Sequence, residues 1–146
     1  EKTTNFYLCP SEQLDARHNF VEKYANMVDA VLFCPPYFDL EIYPGEEQST
    51  DSFPNYADWL TGYWEETVKL CASVMKPNAK FGFIISNYRN HEKVDTTISQ
   101  DMKAVVDKHL SFDKHMKVRW SGISSSRQAH KQRDGNYEDL WMFSKG

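Results

Sequence analysis

No stretch of this chain approaches the roughly 18 consecutive apolar residues of a membrane span, and nothing in it reads as a secretory leader. Its three cysteines, Cys9, Cys34 and Cys71, are odd in number and have no CxxC spacing, which argues against a disulfide framework and against a zinc ribbon. His18, His91, His109, His115 and His130 lack metal-ligand spacing, so surface or capping roles fit all five and no metal is expected. The six glycines stand apart at positions 45, 62, 82, 122, 135 and 146, and no GxG turn occurs anywhere. A glycine loop to wrap a phosphate or cofactor is therefore missing. Internal repeats and low-complexity linkers are missing as well. With 40% hydrophobic residues the chain is globular rather than disordered. Its 146 residues predict one domain, 1–146, in reducing, cytoplasmic surroundings without a membrane partner.

Charge is present but unevenly spread. Residues 1–73 hold 13 acidic and 4 basic side chains, a balance of −9, whereas residues 74–146 hold 8 acidic and 13 basic, a balance of +5. From Lys114 to Arg133 the charged residues are Lys114, Lys117, Arg119, Arg127, Lys131 and Arg133, with no acid between them. Such a run is by default a solvated surface. It also suits an edge that faces phosphates, and the segment 124–136, "SSSRQAHKQRDGN", offers serines and arginines for that purpose.

Hydrophobic spacing supplies the elements. "NFYLC" (5–9) reads as a short strand, and residues 11–27 read as helical with Ser11 placed to cap them. Ala30-Val31-Leu32-Phe33 form the core of a buried strand, 29–34. A polar loop of about fifteen residues then runs from Asp39 to Pro54, and loops of that length tend to be functional. Asn55 can cap the clearest helix, in which Leu60, Tyr63, Trp64, Thr67, Leu70, Cys71 and Val74 fall three and four apart until Pro77 ends it. A second buried strand covers 80–87, and Ile98, Met102, Val105, Val106 and Leu110 line a third helix. "HMKVRWSGIS" and "EDLWMFSK" read as two closing strands. Strands alternating with helices predict an α/β fold, a mostly parallel sheet with helices on both faces. In such sheets ligands bind beyond the carboxyl ends of the strands.

Cys34-Pro35-Pro36-Tyr37 sits at such an end. Each proline removes a backbone N–H and holds the preceding residue extended. The result is a stiff turn with carbonyl acceptors and no donors of its own, flanked by Tyr37 and Phe38. An exocyclic amino group, adenine N6 or cytosine N4, fits this arrangement. Its nitrogen is a poor nucleophile because the lone pair is delocalised into the ring. Two acceptors gripping its hydrogens favour a tetrahedral, more nucleophilic nitrogen. A proline-fixed carbonyl is one acceptor and position 34 supplies the other, while Tyr37 or Phe38 stacks on the extruded base. Methyl transfer is the matching chemistry, because positioning and acceptors supply most of its catalysis.

The same residues carry a family resemblance. "CPPYF" resembles the (Asp/Asn/Ser)-Pro-Pro-(Tyr/Phe) motif of S-adenosylmethionine-dependent amino-methyltransferases acting on DNA adenine or cytosine. "VDAVLFCPPYFDLEIYPGEEQS" looks like the "SPPYFNLEIY…QS" version of phage and bacterial enzymes. The helix after Asn55, the strand "KFGFIISNYR" and the final "NYEDLWMFSK" follow in the order which that family uses. The resemblance implies a Rossmann-like methyltransferase fold, S-adenosylmethionine as cofactor, and DNA or RNA as partner. It implies catalytic roles for Cys34, Pro35, Pro36 and Tyr37. Phe38, Arg127, Lys131 and Arg133 then bind the substrate, and Cys34 and Pro10 lie on the cofactor side.

Three departures qualify that picture. Cys34 stands where the family has Asp, Asn or Ser, and a thiol is a weak acceptor. Cys9-Pro10 replace the Gly-Asp whose carboxylate helps hold the cofactor. The FxGxG-type loop is absent, as though the cofactor half lay elsewhere. In a circularly permuted class of these enzymes that half follows the proline motif, so the remainder of a longer polypeptide or another subunit is an expected partner. The alternative is a catalytically degenerate module that keeps the fold inside a larger viral or phage protein.

Overall fold

Side-chain alternation along one strand decides where the core lies. In the computed structural model, which describes residues 2–41, 44, 48–119 and 137–146, β2 (Met75–Ile85) buries Phe81, Phe83 and Ile85 completely. Successive side chains of a strand point to opposite faces, so Lys80, Gly82 and Ile84 turn the other way. β2 pairs in parallel with β1 (Val28–Phe33), and β4 (Tyr137–Ser144) lies antiparallel on its other side. β3 (Ser111–Arg119) pairs antiparallel with β4, giving the order β1-β2-β4-β3.

The sheet is therefore mixed and open. Three of its strands run in one direction and β4 is reversed between two of them. The expected parallel character holds for β1, β2 and β3, while two of the three ladders are antiparallel. β3 and β4, consecutive among the described strands, form one of those antiparallel pairs.

A continuous helical run covers the Phe81–Phe83 face. Asn55 caps it as expected, accepting the N–H groups of Ala57 at 2.9 Å and Asp58 at 3.3 Å. One turn of α-helix, Tyr56–Asp58, leads into a π-helical stretch, Trp59–Glu65, and then into a regular helix, Glu66–Val74. The wider π turn allows Trp59 and Trp64, five residues apart, both to be fully buried. A later helix, Ile98–Asp107, adds Ile98, Met102, Val105 and Val106 to the same core. The described helices and strands share one buried core.

Two expectations near the N-terminus change. The helix expected over 11–27 breaks at Asn19, whose φ of 53° is left-handed. Asparagine tolerates that conformation, and Asp15 Oδ1 accepts the Val21 N–H at 2.8 Å, so the chain restarts as a second short helix. Leu14–His18 and Phe20–Tyr24 are the two pieces, preceded by a 3₁₀ turn at Ser11–Gln13. Ser11 does not cap it; its Oγ instead lies 2.8 Å from Thr67 Oγ1. Residues 5–9 form no strand. Tyr7 is held edge-on by His18 and Phe20, but Phe6 and Leu8 stand 91% and 100% exposed, with no neighbouring strand among the described residues.

Gly62 has a steric reason to lack a side chain. A Cβ there would sit 2.2 Å from Cε1 of the Phe53 ring. Alanine is the better helix former by roughly 1 kcal/mol, yet overpacking costs about 1–3 kcal/mol, so Gly62→Ala is expected to lower stability. Adding Gly62→Ala to Phe53→Ala should cost nothing further. Urea denaturation of the two single variants and the double variant checks both outcomes.

Candidate functional site

β1 delivers the diproline turn to the rim of the sheet. Phe33, its last residue, packs on Trp64 and Phe81, which fixes where the strand stops. Cys34 then emerges exposed with a free thiol, while Pro35 is buried beneath it. Tyr37 is also buried, at 6% exposure. Its hydroxyl accepts the Ser86 N–H at 3.1 Å, lies 3.1 Å from Ser86 Oγ, and donates to Glu138 Oε1 at 3.4 Å. One phenol thus ties the turn to the end of β2 and to the start of β4. Phe38 is half-buried, its ring centroid 5.3 Å from Tyr56 and 5.6 Å from Trp59. Asp39 accepts a hydrogen bond from Tyr88, so its carboxylate shapes the loop.

These residues open onto a cavity of about 460 Å³. Cys34, Pro36, Tyr37 and Phe38 line it, together with Pro10 and Tyr63. Cys34 and Pro10, paired on the cofactor side by the sequence, are thus brought together. Pro35 is not on the lining, and Arg127, Lys131 and Arg133 lie outside the described residues. Burial pushes the Tyr63 phenol well above its ordinary value. Burial likewise pushes the Cys71 thiol up to about 12.

Sequence reading missed the opposite side of the cavity. Gln48, Ser49 and Thr50 line it from a short helix, Ser49–Ser52, inside the segment read as loop. A capping box between Gln48 and Asp51 starts that helix, and Ser49 Oγ accepts the Trp59 indole N–H at 2.9 Å. The Q-x-x-D spacing was the available signal. Glu12 and Glu41 also lie on the lining. No glycine among the described residues borders this cavity. Among the described residues no cluster of three or more His, Cys, Asp or Glu is placed to hold a metal ion, and no helix is long and apolar enough to cross a membrane.

A buried carboxylate lies close by. Asp139 is 2% exposed and follows Glu138 in β4. Ser99 Oγ donates to its Oδ2 at 2.7 Å, Lys117 Nζ lies 2.8 Å from Oδ1, and His115 Nε2 lies 2.7 Å from Oδ1. His115 also stacks on Trp141, with ring centroids 4.1 Å apart. Burial alone would raise the Asp139 carboxyl, but Lys117, Ser99 and His115 together hold it below its ordinary value. His115, read from sequence as a surface or capping residue, is part of this cluster.

The fold is shared with solved structures of methyltransferases. A Thermus thermophilus protein described as a DNA modification methylase, in complex with S-adenosyl-L-methionine, superposes with a TM-score of 0.62 at 13% identity over 90% of this chain and 53% of its own. The cytosine-N4-specific PvuII DNA methyltransferase superposes with a TM-score of 0.59 at 13% identity over 96% of this chain and 48% of its own. The chain thus spans about half the length of each. No family model and no curated protein matches the sequence.

The Asp139 cluster makes stability depend on pH with a definite sign. A carboxylate held low in the folded state stabilises fully above the ordinary aspartate value, near pH 4, and loses that contribution as pH falls through its folded pKa. Unfolding free energy should be level between about pH 7 and 5 and decline below about pH 4. Asp139→Asn should remove part of that decline and cost roughly 1–3 kcal/mol at neutral pH. Chemical denaturation at a series of pH values gives both quantities.

Proposed function

We propose that residues 1–146 are the target-base half of a nucleic-acid amino-methyltransferase, acting on an adenine or cytosine amino group in DNA or RNA. The observation that carries this reading is the cavity at the carboxyl end of β1, walled by Cys34, Pro36, Tyr37 and Phe38. In this reading a proline-fixed carbonyl of the turn and Cys34 accept the hydrogens of the amino group. Tyr37 and Phe38 supply aromatic surface for the base. Tyr37 is locked by Ser86 and Glu138, so the site is organised before the base arrives. Arg127, Lys131 and Arg133 neutralise phosphates. S-adenosylmethionine supplies the methyl group when bound, and this chain contributes Cys34 and Pro10 to one side of its site.

A second reading rests on the thiol. Sulfur at position 34 accepts hydrogen bonds weakly, and no glycine among the described residues lines the cavity. Those two features favour a module that keeps the fold without the chemistry.

Methyl transfer from labelled S-adenosylmethionine to adenine- and cytosine-containing DNA and RNA by the polypeptide in its natural length separates the readings. The first expects turnover, preserved or raised by Cys34→Ser or Cys34→Asp, since oxygen is the stronger acceptor. Tyr37→Ala should slow it by about tenfold, because base stacking is worth roughly 1–3 kcal/mol. Folded protein that transfers nothing in wild-type, Ser or Asp form supports the second reading. Loss of activity in Cys34→Ser alone would make the thiol itself chemical.

Two binding measurements complete the picture. Calorimetric titration of the 146-residue chain alone with S-adenosylmethionine should show no micromolar site. Nucleic-acid affinity should fall with salt at a slope of roughly −0.9 per phosphate contact on duplex DNA. Neutralising Arg127, Lys131 and Arg133 together should flatten that slope.

A further inference from the structure

A second cavity, of about 270 Å³, shares Phe38 with the cavity at Cys34. Pockets for drug-sized ligands start at about 300 Å³, so this one suits a single ring system. Phe38, Tyr56, Tyr88, Val94 and Ile98 give it an apolar, largely aromatic lining. Its polar groups are held by bonds of their own. Asp101 Oδ2 accepts the Tyr56 hydroxyl at 2.7 Å and the Thr97 hydroxyl at 2.9 Å. A carboxylate has about four lone-pair sites, so those bonds leave Asp101 with acceptor capacity for a ligand. Asn90 Oδ1 accepts the backbone N–H groups of Glu92 at 3.0 Å and Val94 at 2.9 Å, which leaves its amide nitrogen as the donor on the lining. Asp39 and Asp95, also on the lining, are engaged by Tyr88 and by Arg89. Among the described residues none on this lining is cationic.

From this we infer that the second cavity takes an unpaired guanine next to the target base. The N1–H and the N2 amino group of guanine form a two-donor edge, which a carboxylate accepts as it accepts the fork of an arginine. Asn90 donates to the O6 acceptor beside that edge. Adenine and cytosine each set a ring-nitrogen acceptor beside the amino group, and Asp101 repels it. Uracil offers a single N–H between two carbonyls. A guanidinium brings no acceptor for Asn90. Unstacked bases are read in this way, by aromatic side chains and by hydrogen bonds to the Watson–Crick edge. Phe38 borders both cavities, so the guanine and the target are neighbours along one strand. The inference takes from the proposed function only that the partner is a nucleic acid.

Backbone amide NMR of the 146-residue chain, titrated with guanosine, inosine, adenosine and cytidine monophosphates, tests it. Guanosine monophosphate should shift the amides of Thr96, Thr97 and Asp101 saturably. Inosine monophosphate lacks the N2 amino group and should bind about tenfold more weakly. Asp101→Asn should weaken guanosine monophosphate by about tenfold or more. Asn90→Asp keeps the acceptor for the Glu92 and Val94 N–H groups, so its urea midpoint should match wild type while guanosine binding falls. Shifts that never saturate, or equal ones with adenosine and cytidine monophosphates, overturn the inference. A stronger response to methylguanidinium would assign the cavity to a basic side chain and also overturn it. No cofactor enters these readouts. Guanosine binding without methyl transfer by the natural polypeptide would leave the inference standing and count against the proposed function, and methyl transfer without guanosine binding would do the reverse.

Discussion

Trp64 meets Phe83 edge-on with ring centroids 5.1 Å apart, and its indole N–H donates to the Met102 carbonyl at 3.0 Å. Both rings are fully buried. This contact joins three things: the helical run after Asn55, the central strand β2, and the helix beginning at Ile98. Phe33 leans on the same Trp64, so the point where β1 ends is set by it. Phe83 in turn stacks on Phe143, which seats β4. A large ring buried with its polar atom satisfied specifies a position as well as stabilising it, and the diproline turn inherits that position.

The turn is held from the other side by hydrogen bonds. Tyr37 reaches Ser86 at the end of β2 and Glu138 at the start of β4. Ser99 links the neighbouring Asp139 to Trp141 and to the last helix. The cavity wall therefore stands on rigid elements, while its far side is carried by the short helix with Ser49. Cys34 is the exposed member of an otherwise anchored set.

Much of this was legible in the sequence wherever local pattern and tertiary packing agree. The apolar run before Cys34, the Asn55 cap and the spacing from Ile98 to Val106 each specify an element without help from distant residues. The strand at 5–9 was not, because a strand needs a partner and Phe6 and Leu8 have none among the described residues. The break at Asn19 was hidden too, since Asp15 capping a restarted helix leaves no gap in the apolar spacing. Leu32 reads as a core residue in the sequence, yet it stands 70% exposed. In the site, Cys34, Tyr37 and Pro10 were found from the turn and the family pattern, whereas Gln48 and Ser49 required the folded loop.

The strand order also dictates a schedule. β4 lies between β2 and β3, yet it is the last of the described strands along the chain. β3 is synthesised earlier and has no place in the sheet until β4 has bridged the gap. On a ribosome the first pairing open to the sheet is β1 with β2, while Phe112 and the face of the Ile98 helix wait for Phe143 to arrive. An interior strand, β4, is thus the latecomer, and non-local pairing of that kind is slow. Loss of a few residues before Ser144 would not trim an edge. It would remove the strand through which half of the sheet is attached.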